Sequence, residues 1–157
     1  MQVGFAGRDW QTLKVEVARP EAVEPELVPV AIGIADFKLD GPKRVACLSL
    51  RCQIAQKIHA VTEQPSGRTN LRYWDLIDLI LLRELLGDDL ARAREACIET
   101  FATRDLHAWP PELVVPDDWS APYATTAGEI DADLPREVDT AAEDVRAFIA
   151  AIDDGVQ

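Results

Sequence analysis

Near the start of the chain, apolar residues recur at every second position. Over 11–18 (QTLKVEVA), Leu13, Val15 and Val17 alternate with Lys14 and Glu16, which predicts a β-strand with one apolar face. Residues 19–29 are interrupted by prolines and predict a loop. Two further strands are predicted over 30–37 and 44–50, separated by the strong turn signal Asp40-Gly41-Pro42. From Ser49 the period becomes helical. Ile54, Ala55, Ile58 and Val61 share one face, and Gln64-Pro65-Ser66-Gly67 ends the helix. A second helix is predicted from Asn70, a favourable N-cap residue, to Leu86, and Gly87 stops it. Asp88-Asp89 cap a third, which carries Leu90, Ala93, Cys97, Ile98 and Phe101. Residues 109–123 open on Trp109-Pro110-Pro111 and predict a connection rich in proline and tryptophan. A last helix over about 135–152 aligns Val138, Ala142, Val145, Phe148, Ile149 and Ile152. The expected architecture is α+β: a small β region of about three strands within residues 1–50, then a bundle of about four helices over 51–157.

Composition narrows the class. A chain of 157 residues that is 48% hydrophobic and 28% charged suits one globular unit with a true core. Cys47, Cys52 and Cys97 are odd in number and lack metal or redox spacing, so reduced thiols are expected rather than a disulfide frame. The N-terminal residues show no signal-peptide pattern, and no fully apolar run, Leu79 to Leu82 and Ala147 to Ile152 included, approaches the length of a membrane span. A soluble, cytoplasmic protein with no membrane partner is therefore expected.

The net charge of −12 is unevenly spread: −3 over 1–40, +2 over 41–104 and −11 over 105–157. An acidic whole argues against non-specific nucleic-acid binding, which depends on counterion release by basic surfaces. It leaves room for a local basic face in the middle third, where Arg51, Lys57, Arg68, Arg72, Arg92, Arg94 and Arg104 lie.

Charges on apolar helices require an explanation, because burying one is costly unless it is paired or liganded. The second helix holds Leu76, Ile77, Leu79, Ile80, Leu81 and Leu82 and should be central, yet Arg72, Asp75 and Asp78 follow one another at i, i+3. On the first helix Lys57 sits between Ile54 and Ile58. A short connection makes these helices neighbours, so Lys57 can reach Asp75. Two accounts stay open at this level. The charges are internal ion pairs, Lys57 with Asp75 or Arg72 with Asp75, or they form half of an active site.

The ordered run Gln-Ile-Ala-Gln-Lys-Ile-His-Ala over 53–60, a polar loop, then Arg72-x-x-Asp75-Leu76-x-Asp78-Leu79 resembles the AbiEii/AbiGii toxin family of abortive-infection and type IV toxin–antitoxin systems. The tail fits as well, with Thr100 to Arg104, His107 to Pro111, and Pro116 to Tyr123 around Trp119; the likeness spans about residues 10–150. The resemblance implies a DNA polymerase β-like nucleotidyltransferase that moves a nucleotide from an NTP, with Mg²⁺, onto an acceptor, and some relatives modify the acceptor end of tRNA. It assigns Lys57 to the triphosphate and Asp75 to the essential aspartate of the last motif. Arg72 and Asp78 become supporting residues that orient Asp75, and Glu16 a third acidic residue able to bind metal. A cognate antitoxin is the implied protein partner. The chemistry accounts for these residue types. Two metal ions roughly 3.5–4 Å apart need hard carboxylate ligands, and lysine brings a compact positive charge to phosphate.

The sequence departs from that family at two points. The Gly-rich turn and strand-borne Asp-x-Asp of its first motif do not precede QTLKVEVA; Gly4 and Gly7 lie near Asp9, and Asp131-Ala132-Asp133 falls in an acidic loop. Trp74 stands where a basic residue is usual. The chain is therefore expected to correspond to the C-terminal two-thirds of a nucleotidyltransferase, truncated or degenerate and weak in catalysis. The competing reading is a non-catalytic helical protein that binds an antitoxin or another protein. Of the remaining residues, His59 is expected to pack or face solvent, and His107 lacks a partner at metal spacing. Trp109 and Trp119 are expected to cover an end of the bundle, and Ser66-Gly67-Arg68 to form a polar turn.

Overall fold

A computed structural model of the chain describes residues 2–5, 7–12, 25–30, 38, 40–67 and 69–155. The described part is α+β. It contains two antiparallel ribbons, β1 (Gln2–Phe5) with β2 (Arg8–Thr12) and β3 (Glu26–Pro29) with β4 (Arg44–Cys47). Five α-helices follow: α1 (Leu50–Thr62), α2 (Tyr73–Leu86), α3 (Leu90–Arg104), α4 (Ser120–Glu129) and α5 (Val138–Asp154).

The ribbons differ from the three expected strands. β1 and β2 meet around Gly7, whose φ of 75° suits a residue without a Cβ. Of the predicted strand 11–18 only Gln11 and Thr12 are described, at the end of β2; Glu16 lies outside the described residues. Most of the predicted strand 30–37 lies outside them too. Residues 19–29 are not a loop throughout, because Glu26–Pro29 pairs with β4 in the register Glu26↔Cys47 to Pro29↔Arg44. Proline is tolerated there because it closes a strand at the edge of a two-stranded ribbon. Arg44 reinforces the pair by donating from Nη2 to the Leu27 carbonyl at 2.6 Å. The predicted strand over 44–50 stops at Cys47, since Ser49 already caps α1, its hydroxyl accepting the Cys52 N–H at 3.4 Å.

The helices form the core. Ile54, Ala55 and Ile58 of α1, Leu76 and Leu79 of α2, Ala93 and Cys97 of α3, and Ile152 of α5 are completely shielded from solvent. α1 packs against α2 and α3, and α5 closes over α2 and α3. Ile98 does not join the core face of α3 and stays 41% exposed. The connection predicted over 109–123 contains a 3-10 turn, Asp117–Trp119, that leads straight into α4, which packs on α2 and α5. Trp119 and Tyr123 enter the core there with no exposed surface. None of the described helices is long and apolar enough to cross a membrane.

Candidate functional site

Asn70 organises the junction between α1 and α2. Its Nδ2 donates to the carbonyls of Ala60, Val61 and Glu63 at 3.0, 3.2 and 2.8 Å, acceptors left open where a helix ends. Its Oδ1 accepts the Arg72 N–H at 2.9 Å. Its own carbonyl accepts the Trp119 indole N–H at 2.5 Å. The expected N-cap thus works two residues further upstream: Arg72 occupies the cap position and α2 begins at Tyr73. One amide closes the first helix and starts the second, and a buried indole fixes that amide's backbone.

The junction sets Lys57 against α2. Lys57 Nζ donates to Asp75 Oδ1 at 2.9 Å and to Asp78 Oδ2 at 2.5 Å. The Asp75 side chain is only 3% exposed, whereas Lys57 is 29% and Asp78 43% exposed. Asp75 Oδ2 accepts no hydrogen bond and faces Arg72 Nη1 at 3.7 Å. Burial, the largest single influence on Lys57, disfavours its charge. The hydrogen bonds and charges of Asp78 and Asp75 together outweigh it and hold the pKa above the ordinary lysine value, so Lys57 is an ammonium at neutral pH.

A cavity of about 270 Å³ opens beside this cluster, lined by Lys57, Asp75 and Arg72 with Gln53 and Gln56 of α1 and Arg104 of α3. Among the described residues its lining carries three cations against one carboxylate, and with Asp78 bonded to Lys57 the cluster keeps a small positive excess on a chain of net charge −12. Arg72 and Ala60 also line an adjoining groove of about 720 Å³. A depression of about 690 Å³ near Trp109 is chemically quieter, its Arg94 and Asp153 paired with each other at 3.6 Å.

The residues singled out in the sequence are therefore partly gathered. Lys57, Arg72, Asp75 and Asp78 form one cluster, and Glu16 lies outside the described residues. Gln53, Gln56 and Arg104 were not legible as site residues. Gln53 and Gln56 stand at i−4 and i−1 from Lys57, a spacing that offered some signal, but Arg104 arrives only through the packing of α3 on α1. Trp109 and Trp119 serve the fold. Trp109 donates to Asp153 Oδ1 at 2.8 Å, and Trp119 is buried. His59 is packed, 1% exposed, between Phe101 and His107, with ring centroids 4.9 and 4.5 Å away.

Among the described residues no three His, Cys, Asp or Glu side chains converge on a cation position. Asp75 and Asp78 both turn an oxygen toward the Lys57 ammonium, which occupies the place between them. The described donors therefore do not fit a two-metal centre.

No curated protein matches this sequence. The family model of the nucleotidyl transferase AbiEii toxin, type IV toxin–antitoxin system, matches residues 1–151. With nearly its whole length inside that match, the chain belongs to the AbiEii family of nucleotidyl transferase toxins.

Proposed function

We propose that this chain is a nucleotidyltransferase-like protein of a toxin–antitoxin system that binds the triphosphate of an NTP–Mg²⁺ complex in the cavity between α1 and α2. The carrying observation is the state of Lys57. An ammonium has three protons, and Asp75 and Asp78 take two of them. The third is left for a phosphate oxygen, on a head group already fixed at the edge of a cavity that Arg72 and Arg104 also line. In this reading Lys57 grips the phosphates, Asp75 orients Lys57 and Arg72, and Asp78, the more exposed carboxylate, gives way as the anion enters. Mg²⁺ arrives with the nucleotide, and Glu16 is its candidate protein ligand. The acceptor is RNA, with the acceptor end of tRNA as the first candidate. Residues 1–50 act as the nucleotidyltransferase β region, residues 51–157 as the helical part, and transfer by this chain alone is slow or absent. A cognate antitoxin is the protein partner.

The bonds that hold Lys57 also favour a second reading, in which the cluster is a structural tie and the chain is a non-catalytic helical protein that binds an antitoxin or another protein. The two separate in one experiment: equilibrium binding of each labelled NTP with Mg²⁺, with label transfer to tRNA followed in parallel. Binding that Lys57→Ala abolishes in a folded protein supports the nucleotide reading, with little transfer expected. Rapid transfer would overturn the claim of weak catalysis, and absence of binding to the folded wild type would leave the structural tie.

A further inference from the structure

The groove that shares Arg72 and Ala60 with the Lys57 cavity has the size and lining of a ligand site rather than of a packing defect. Its lining is mixed, and Trp74, 40% exposed, contributes to it beside Leu71, which is 59% exposed. The Trp74 ring is braced by Tyr73, with ring centroids 4.8 Å apart at 72°. Two carboxylates, Glu63 at the end of α1 and Asp118 in the turn before α4, line the same groove. Among the described residues they outnumber the one lining cation, Arg72, so the described lining is net acidic and disfavours phosphate, while the neighbouring cavity attracts it.

That division of charge matches the two halves of a nucleotide. We propose that the Trp74 groove is the nucleobase subsite of the nucleotide site proposed above, and that it selects bases carrying an exocyclic amine. The base stacks on the Trp74 indole, since every base offers a π-face to an aromatic side chain. A carboxylate accepts from an amino group such as N4 of cytosine, whereas uracil presents the O4 carbonyl at that position, which a carboxylate repels. Arg72, common to both hollows, lies where the base half meets the phosphate half. The inference rests on the nucleotide reading, and the experiment distinguishes failure of one from failure of the other.

Calorimetry with Mg²⁺ and tripolyphosphate, CTP or UTP is run on the wild type, Trp74→Ala and Trp74→Phe. Wild type should bind CTP more tightly than UTP, and both more tightly than tripolyphosphate. Trp74→Ala should weaken CTP about 5- to 150-fold, the range spanned by loss of one stacked base, and leave tripolyphosphate unchanged. Trp74→Phe, which keeps a ring, should retain most of the CTP affinity. Glu63→Gln combined with Asp118→Asn should erase the preference for CTP over UTP. The inference is overturned if tripolyphosphate binds but Trp74→Ala leaves CTP affinity intact, or if CTP and UTP bind wild type equally; the nucleotide reading then survives. If neither tripolyphosphate nor any nucleotide binds, both fall.

Discussion

Replacing Asn70 with alanine tests how the junction holds the site. The change removes the two amide protons that serve three carbonyls and the oxygen that accepts the Arg72 N–H. Three donor or acceptor functions at a net of about 0.5–1.5 kcal/mol each set a ceiling near 4.5 kcal/mol. Ala60 and Glu63 are only partly buried, so water recovers some of that loss, and about 2 kcal/mol is expected. For a chain of this size such a loss lowers Tm by about 4–8 °C. Asn70→Asp separates capping from mere packing. It keeps the acceptor for Arg72 but turns a carboxylate toward three carbonyl oxygens, so it should cost about 1 kcal/mol more than alanine, although a negative charge suits the start of α2. Urea unfolding at neutral pH followed by circular dichroism gives both values from the shift in midpoint at constant slope. Asn70→Ala within about 0.5 kcal/mol of wild type, or Asn70→Asp milder than Asn70→Ala, would refute the reasoning.

Three further outcomes follow from the core around the site. Trp119→Ala empties a fully buried position and removes the bond to the Asn70 carbonyl, so a loss of about 3–5 kcal/mol is expected in the same unfolding assay. His107 makes stability pH-dependent. Burial lowers its pKa against the smaller opposing effect of Glu63, so the unfolded chain binds the proton more readily; stability should fall as pH drops below about 6.5, and His107→Gln should flatten that limb. The Thr62 hydroxyl gives its proton to the Ile58 carbonyl at 2.7 Å, so His107 Nε2 must donate to Thr62 Oγ1 at 2.9 Å, an arrangement available to the neutral ring. Cys97 is buried and its thiol is pushed up to about 12, chiefly by that burial, while Cys47 is partly exposed. A disulfide reagent at pH 8 should modify Cys47 quickly and reach Cys97 only at the rate of unfolding; fast modification of Cys97 in the native protein would contradict the packing.

The helical half was legible in the sequence where burial is one-sided. Ile54, Ala55, Ile58 and Val61 on α1, and Val138 to Ile152 on α5, are buried on the faces that their spacing marked. Lys57 and Asp75 could be paired in advance because a short connection leaves two neighbouring helices little choice of register. α4 escaped notice because only Tyr123 and Ala127 are buried along it, and Pro122 disguises its start although the first turn of a helix accepts proline. β3 escaped because all four of its residues are exposed, so no alternation marks it. The role of Asn70 was misjudged for a different reason. A favourable N-cap residue was expected to cap the helix that follows it, and only the return of the chain beside α1 brings the carbonyls of Ala60, Val61 and Glu63 within its reach.

The measurement closest to the central claim is calorimetry of each of the four NTPs with Mg²⁺ on wild type, Lys57→Met and Asp75→Asn, each checked for folding by circular dichroism. Lys57→Met should lose some stability, toward the low end of the about 3–5 kcal/mol for a broken buried pair, because Lys57 and Asp78 keep partial contact with water. The account expects wild type to bind nucleotide and both variants, still folded, to lose that binding. Folded wild type that binds no NTP, or a Lys57→Met protein that binds as tightly as wild type, would contradict it.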